Sequence, residues 1–539
     1  MSGLRFTRRH ALGLGAAAVG ALGLNSVSLN STAVAASASA AAGGYPKGSR
    51  PRVLNVLQES ALSPAELTLA TTLQGQLART GSEGLYLDIP SLGYRLWLDD
   101  LADRYGVRVG PGDLWKTLEQ SRVAGYILFR QGTSSVNVAT TLAGLTGAIA
   151  IEESLEATAI RSGLRKVLDV RDKDEQWVWS NYSHRLRHDV VIEQKEDWPE
   201  RLRDYATMAG AFAFFDGNSA FRAEVVGALD DDATVIGWGD AANGEDTFIG
   251  PNSDAGVKAI PADHARNLSV LSGIRADRIS QRGPVETPRP DPDAHYVSFL
   301  ITDGDNIQWM LGDFPTDPRW FGSAQRGKVD LGWGISPSLV DLAPSVMRWY
   351  YDQSGGGGRA AGASGTDRFV VGPSGGGYMY PSRFPKAALD KHTGSLAQEM
   401  ERADLSVVQI IDFDSFPDTA LWSTYLKRPQ IDGLIYLEYS RYDSHKGKVV
   451  WANGKPVISA RTMLWDGLPG ADEASVIAEL NSATRDPHST AGYSVVLWHA
   501  WSKSLDNVMT VVDGLAPHVK VIPPDTLVKM VSRHANPQG

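Results

Sequence analysis

The chain has 539 residues, about three or four domains' worth at roughly 150 residues each. Hydrophobic residues make up 42% and charged residues 21%, which excludes wholesale disorder. With no cysteine, disulfide frameworks, thiolate metal sites and a cysteine nucleophile are excluded together. A net charge of −10 argues against a nucleic-acid partner, whose phosphates call for a cationic surface. Tryptophan is the compositional excess, with 15 in the chain.

The chain opens on Arg5, Arg8 and Arg9 with no acid, followed by an uncharged Ala/Gly/Leu/Val run over Ala11–Leu24 and Ala-Ser-Ala at Ala36–Ala38. This is the pattern of an export signal, and Thr7-Arg8-Arg9-His10-Ala11-Leu12 resembles the twin-arginine form. Residues 1–40 are expected to be removed, leaving a secreted or cell-envelope protein. The apolar run is short for a bilayer span of about 20 residues, and no later stretch qualifies. Residues 41–51 form a Gly/Pro/Ser lead-in.

From residue 52 to 280, short apolar runs alternate with amphipathic stretches, which predicts an α/β region of short βα units, as one body or two subdomains. Strands are expected at Arg52–Leu57, Gly84–Ile89, Gly125–Arg130, Gly147–Ile151, Val190–Ile192, Gly210–Phe215 and Thr234–Trp238. Ser63-Pro64-Ala65-Glu66 is a helix start, with Ser as the cap and Pro in the first turn. His184 and His188 share the His-x₃-His spacing, but Arg185 and Arg187 disfavour a metal and predict a surface helix.

Residues 281–293 hold four prolines and read as a linker. Beyond it, 294–539 carries a second series of strands: His295–Ile301, Lys328–Ile335, Arg368–Gly372, Ser406–Ile411, Gly433–Glu438, Pro456–Ala460, Tyr493–His499 and His518–Ile522. Helices are expected at Ser338–Tyr351, Pro385–Ala403, Pro417–Tyr425, Asp472–Ser482 and Leu505–Ala516. That rhythm predicts a TIM-barrel-like (β/α)7-8 domain, with an open doubly wound sheet as competitor. Gly355–Gly358 reads as a silent surface loop.

In either architecture the chemistry gathers beyond the C-terminal strand ends. Those ends offer Asp303, Asp305 and Asn306; Gly377, Tyr378 and Tyr380; Asp412 and Asp414; Glu438; Arg461 and Trp465; His499 and Trp501. Several carboxylates among flat aromatic rings suit glycoside cleavage, which needs one carboxyl to donate a proton and a second as nucleophile or base. Asp303 or Asp305 with Glu438 is the expected pair, Asp412 and Asp414 being second choices. Arg461, His499, Tyr378, Tyr380, Trp465 and Trp501 would position a sugar. Alternate aspartates at 303 and 305 could also supply oxygen ligands to a divalent ion, as in a metal-dependent deacetylase. No cofactor is otherwise expected, and no P-loop or serine-hydrolase elbow is present.

The run Gly375-Gly376-Gly377-Tyr378-Met379-Tyr380-Pro381 resembles the signature of the GxGYxYP family of putative glycoside hydrolases. Similar patterns surround Ser298–Asn306, Asp432–Tyr439, Gly454–Arg461 and, in the N-terminal half, Asp263–Ser269. The resemblance covers most of the chain and implies a sugar-processing protein without assigning a catalytic pair. An exported glycoside hydrolase with a carbohydrate substrate is the leading expectation. A deacetylase-like hydrolase and a non-catalytic carbohydrate-binding protein are the alternatives. The oligomeric state stays open.

Overall fold

The computed structural model of the chain describes residues 44–536, apart from 216, 218, 282–286, 355–365 and 443. The arginine-led segment 1–40, the start of the lead-in, five residues of the proline-rich linker and Gly355–Gly358 lie outside the described residues. Among those described, no helix is long and apolar enough to cross a membrane.

The fold is α/β throughout. Its first helix, Pro64–Thr80, starts where its sequence dictates: the Ser63 hydroxyl accepts from the Glu66 N–H while the Glu66 carboxylate accepts from the Ser63 N–H. Three small parallel sheets are arranged along the chain. The first holds β1 (Val53–Gln58), β2 (Glu83–Asp88) and β3 (Arg108–Pro111), ordered β2-β1-β3. The second holds β4 (Tyr126–Phe129), β5 (Ile149–Glu152) and β6 (Lys166–Asp169), ordered β5-β4-β6. The third holds β7 (Val190–Glu193), β8 (Phe212–Phe214), β9 (Ala233–Gly237) and β10 (Val257–Ile260), ordered β10-β9-β7-β8. Strands β3, β6 and β10 were not expected: the first two are partly exposed, and Lys258 interrupts the apolar run of the third. His184 and His188 do not share a helix face, because the α-helix ends at Tyr182; both ring nitrogens of His188 bond to backbone carbonyls.

The C-terminal region is built on one ten-stranded sheet. Its strands are β11 (His295–Ile301), β12 (Leu331–Ile335), β13 (Asp367–Val371), β14 (Val407–Asp412), β15 (Gly433–Glu438), β16 (Val449–Ala452), β17 (Lys455–Ser459), β18 (Thr462–Leu464), β19 (Tyr493–Trp498) and β20 (Val519–Val521). The order is β16-β17-β15-β14-β13-β12-β11-β19-β18, with β20 paired beside the start of β11. All pairings are parallel except the β16–β17 hairpin. The sheet is curled. β17 pairs with β15 and β18 pairs with β19, yet only Ala460 and Arg461 separate β17 from β18. The Ala460 N–H bonds to Tyr436 and the Arg461 N–H to Val495, so the chain steps from one side of the curl to the other. The helix expected at Ser338–Tyr351 is broken into Leu339–Leu342 and Pro344–Asp352, since Pro344 has no N–H to continue it.

The C-terminal helix Pro524–His534, absent from the helices expected of the sequence, fills the end of the curl where the strands begin. Leu527, Val528, Met530 and Val531 pack against Leu300, Val370, Ile435, Ile458 and Leu497. Asp525 pairs with Arg368 at 2.7 Å, both buried. That leaves the opposite end of the curl open for a cavity. There the backbones of β11, β12 and β13 press together: a Cβ on Gly304 would lie 2.3 Å from Gly334 Cα, and one on Gly372 would lie 2.4 Å from Asp305 N. Glycine alone permits that approach, and it fixes the loop carrying Asp303 and Asp305.

Candidate active site

A cavity of about 410 Å³ lies at the C-terminal ends of the strands. Thr302, Asp303, Asp305 and Asn306 line it after β11, and Tyr378 after β13. Gln409 and Ile411 come from β14, with Leu437 at the end of β15 and Tyr439 and Tyr442 just after it. Trp465, His499 and Trp501 lie just past β18 and β19. The remaining wall comes from the third N-terminal sheet: Trp238 and Glu245 after β9, Asp263 and His264 after β10. The site therefore needs both halves of the chain.

Asp303 sits in a left-handed backbone conformation, φ 63°. Its carboxylate accepts from the Thr302 hydroxyl and from the Trp501 indole N–H, the latter at 3.1 Å. Burial pushes its pKa up, with the two hydrogen bonds and His499 acting against the rise. His499 is pushed down, mainly by burial. Asp305, buried behind it, is driven well above the ordinary carboxylate range, first by burial and then by the charge of Asp303. Glu245 is raised by burial and by Asp303, while hydrogen bonding with Tyr378 offsets part of this. The three carboxyl groups repel one another, and burial further disfavours their ionising together.

The aromatic walls are paired. Trp465 lies flat on His499, ring centroids 3.7 Å apart and 5° from parallel, with Tyr442 tilted against it at 5.0 Å. Trp501 is 46% exposed and packs on Trp309 at 4.9 Å, leaving a face open beside Asp303. Trp238 and Tyr378 lie nearly parallel, 6.3 Å apart. Flat faces of this kind suit the C–H surfaces of a sugar.

The glycine-tyrosine run docks the two halves together. Tyr378 and Ala259 of β10 form an antiparallel bridge with two backbone hydrogen bonds. Behind it lies a buried polar cluster: Lys258 donates to Asp232 at 2.6 Å, and His392 Nδ1 lies 2.9 Å from the same carboxylate. A Cβ on Gly375 would sit 2.7 Å from His392 Nε2, and one on Gly376 3.0 Å from a Glu399 carboxyl oxygen. Gly377 passes close to the Ala259 carbonyl, which a Cβ would meet at 2.9 Å. The glycines are there because the His392 and Glu399 side chains and a strand edge fill the space a side chain would need.

Other expected residues lie elsewhere. Glu438 is buried outside the cavity, accepting from the Asp414 N–H, the Ser440 N–H and hydroxyl, and the Tyr436 hydroxyl. Its register partner Asp412 accepts from Ser382 and Ser415. Strand parity is the reason. Gln409 and Ile411 face the cavity from β14, and Leu437 and Tyr439 from β15 and its continuation, so Asp412 and Glu438 point the other way. Asp414 is exposed and pairs with Arg441 at 3.6 Å. Arg461 bonds to Ser494 at 2.5 Å and stands outside the cavity wall. Tyr380 is buried between Phe413 and Tyr439. Among the described residues, no group of three or more His, Cys, Asp or Glu is placed to hold a metal ion.

Glu245, Trp238, Asp263 and His264 were not anticipated. The strand-end rule that found Asp303 would have found Trp238 and Glu245 had it been applied to β9.

Family comparisons cover both parts of the chain. Residues 293–532 match the GxGYxYP putative glycoside hydrolase C-terminal domain, and 53–122, 123–186 and 188–273 match the first, second and third GxGYxYP N-terminal domains. A crystal structure described as a putative hydrolase from Bacteroides thetaiotaomicron is 32% identical, with 92% of this chain and 97% of that chain covered and a TM-score of 0.82. No curated protein matches.

Proposed function

Since the chain belongs to the GxGYxYP family, we propose that it is an exported glycoside hydrolase whose reacting carboxyl groups are Asp303 and Glu245. The observation that carries this is their shared cavity, walled by Trp465, Trp501 and Tyr378 and reached from two parts of the chain. Glu245, raised in pKa, keeps a proton to give to the glycosidic oxygen as the bond breaks. Asp303, whose anion is held by Thr302 and Trp501, faces the sugar as nucleophile or as base for water. Asp305, pressed toward its neutral form, leaves the single negative charge on Asp303. The anomer of the first product assigns the role: retention makes Asp303 the nucleophile, inversion makes it the base.

The fold reading that accompanies this is a seven-staved barrel, with β17 and β18 as one stave broken at Ala460-Arg461. The two backbone bonds across that break support it. Export rests on the Arg8-Arg9 segment and the apolar run after it. The test of function is a panel of oligo- and polysaccharides incubated with purified protein. Release of reducing sugar by wild type, lost in Asp303→Asn and Glu245→Gln, is the expected result.

A further inference from the structure

Gln409 lines the cavity with its side chain buried, and neither its amide nitrogen nor its amide oxygen has a hydrogen-bond partner. A buried amide with both ends unmet costs a few kcal/mol, and a ligand that supplies a matching donor and acceptor removes that cost. The wall around it is one-sided in charge. Asp303, Asp305, Glu245 and Asp263 line the cavity, while no Lys or Arg does among the described residues. Of the two histidines there, His499 is pushed toward the neutral form chiefly by burial, and His264, whose side chain is half-exposed, is pushed the same way by partial desolvation and by Arg201 and Arg266. One Asp263 carboxyl oxygen is likewise buried and unmet.

We infer that the glycosyl unit seated in this cavity is uncharged, and that Gln409 binds it through a hydroxyl or amide group. A uronate, sulfated or sialyl unit would place a second anion against four carboxyl groups, with no Lys or Arg in the cavity wall to pair with it; Lys195 and Arg201 lie behind Asp263 and His264. A neutral sugar instead offers hydroxyls, which both donate and accept, to Gln409 and Asp263. This deepens the glycosidase reading and rests on it only for the location of the site.

The experiment uses the full chain carrying Glu245→Gln, so that binding of oligosaccharides is read without turnover and the Asp303 carboxylate stays in place. Calorimetry compares matched pairs of oligosaccharides that differ only in oxidation at C6, gluco- against glucurono- and galacto- against galacturono-. The expected result is that a neutral member binds about a hundredfold tighter than its acidic counterpart. Gln409→Met in the same background should weaken the neutral ligand about tenfold without lowering the melting temperature. Preference for the acidic member, unchanged affinity in Gln409→Met, or no binding by any pair overturns the inference. If wild type binds neutral glycans in this way but cleaves none, the inference stands and the glycosidase reading falls. If it cleaves uronides, the reverse holds.

Discussion

Tyr378 and Ala259 exchange two backbone hydrogen bonds, 2.6 and 3.0 Å long, across the junction between the third N-terminal sheet and the curled C-terminal sheet. One residue thus lines the cavity while its backbone ties down the element that brings in Trp238, Glu245 and Asp263. The glycines before it make that contact feasible. Gly375→Ala would force φ 133° on a residue with a Cβ and drive that carbon to 2.7 Å from His392. We expect a loss of about 2–4 kcal/mol of stability, read by denaturant unfolding, with turnover falling at least about tenfold. Gly377→Ala, at 2.9 Å from the Ala259 carbonyl, should cost less stability and a comparable share of turnover. Neither loss in Gly375→Ala would mean that the loop relaxes freely.

Glu399 gives a pH signature independent of catalysis. Burial, more than any neighbour, raises its pKa to about 8, whereas in the unfolded chain it ionises at about 4.3. Between those values the unfolded state sheds a proton that the native state keeps, so this group's contribution falls as pH rises through the window. Glu399→Gln removes the effect. Its melting temperature relative to wild type should climb between pH 5 and pH 8, and a constant difference would contradict the assignment.

Glu438 and Asp303 should separate cleanly by mutation. Glu438→Gln loses half of a carboxylate that binds the Asp414 and Ser440 backbone, so its melting temperature should fall while kcat stays within about threefold. A collapse of kcat at unchanged stability would return Glu438 to the chemistry.

Glu245 sets the alkaline limb of the pH profile. Burial and the Asp303 charge raise its pKa, so the proton it must donate is retained above the usual range of about 4.3 and lost as pH climbs further. With an aryl glycoside whose leaving group needs no protonation, Glu245→Gln should keep activity and lose that limb. An unchanged limb would assign it to another group.

Much of this is legible in the sequence, and the rest is hidden for identifiable physical reasons. His295–Ile301 and Gly433–Glu438 are readable to the residue because each is an apolar run bounded by turn residues. Thr302–Asn306, Tyr378, Trp465, His499 and Trp501 are legible because each lies just past the C-terminal end of a strand. Glu438 and Asp412 are misplaced by the same rule because a strand-end residue faces the cavity on one parity only, and apolar runs buried on both faces hide the parity. Glu245 is missed because the rule was applied only to the C-terminal strands; it follows β9, fifty residues before β11, and contacts such as the Ala259 bridge and the Arg383–Asp246 pair join its sheet to the C-terminal one.

The central claim is that Asp303 and Glu245 act as a pair across one cavity, and turnover of a natural glycan by the two single variants tests it most directly. The account predicts that Asp303→Asn and Glu245→Gln each lose at least about a hundredfold in kcat while remaining folded. Either variant turning over that glycan at the wild-type rate would contradict it.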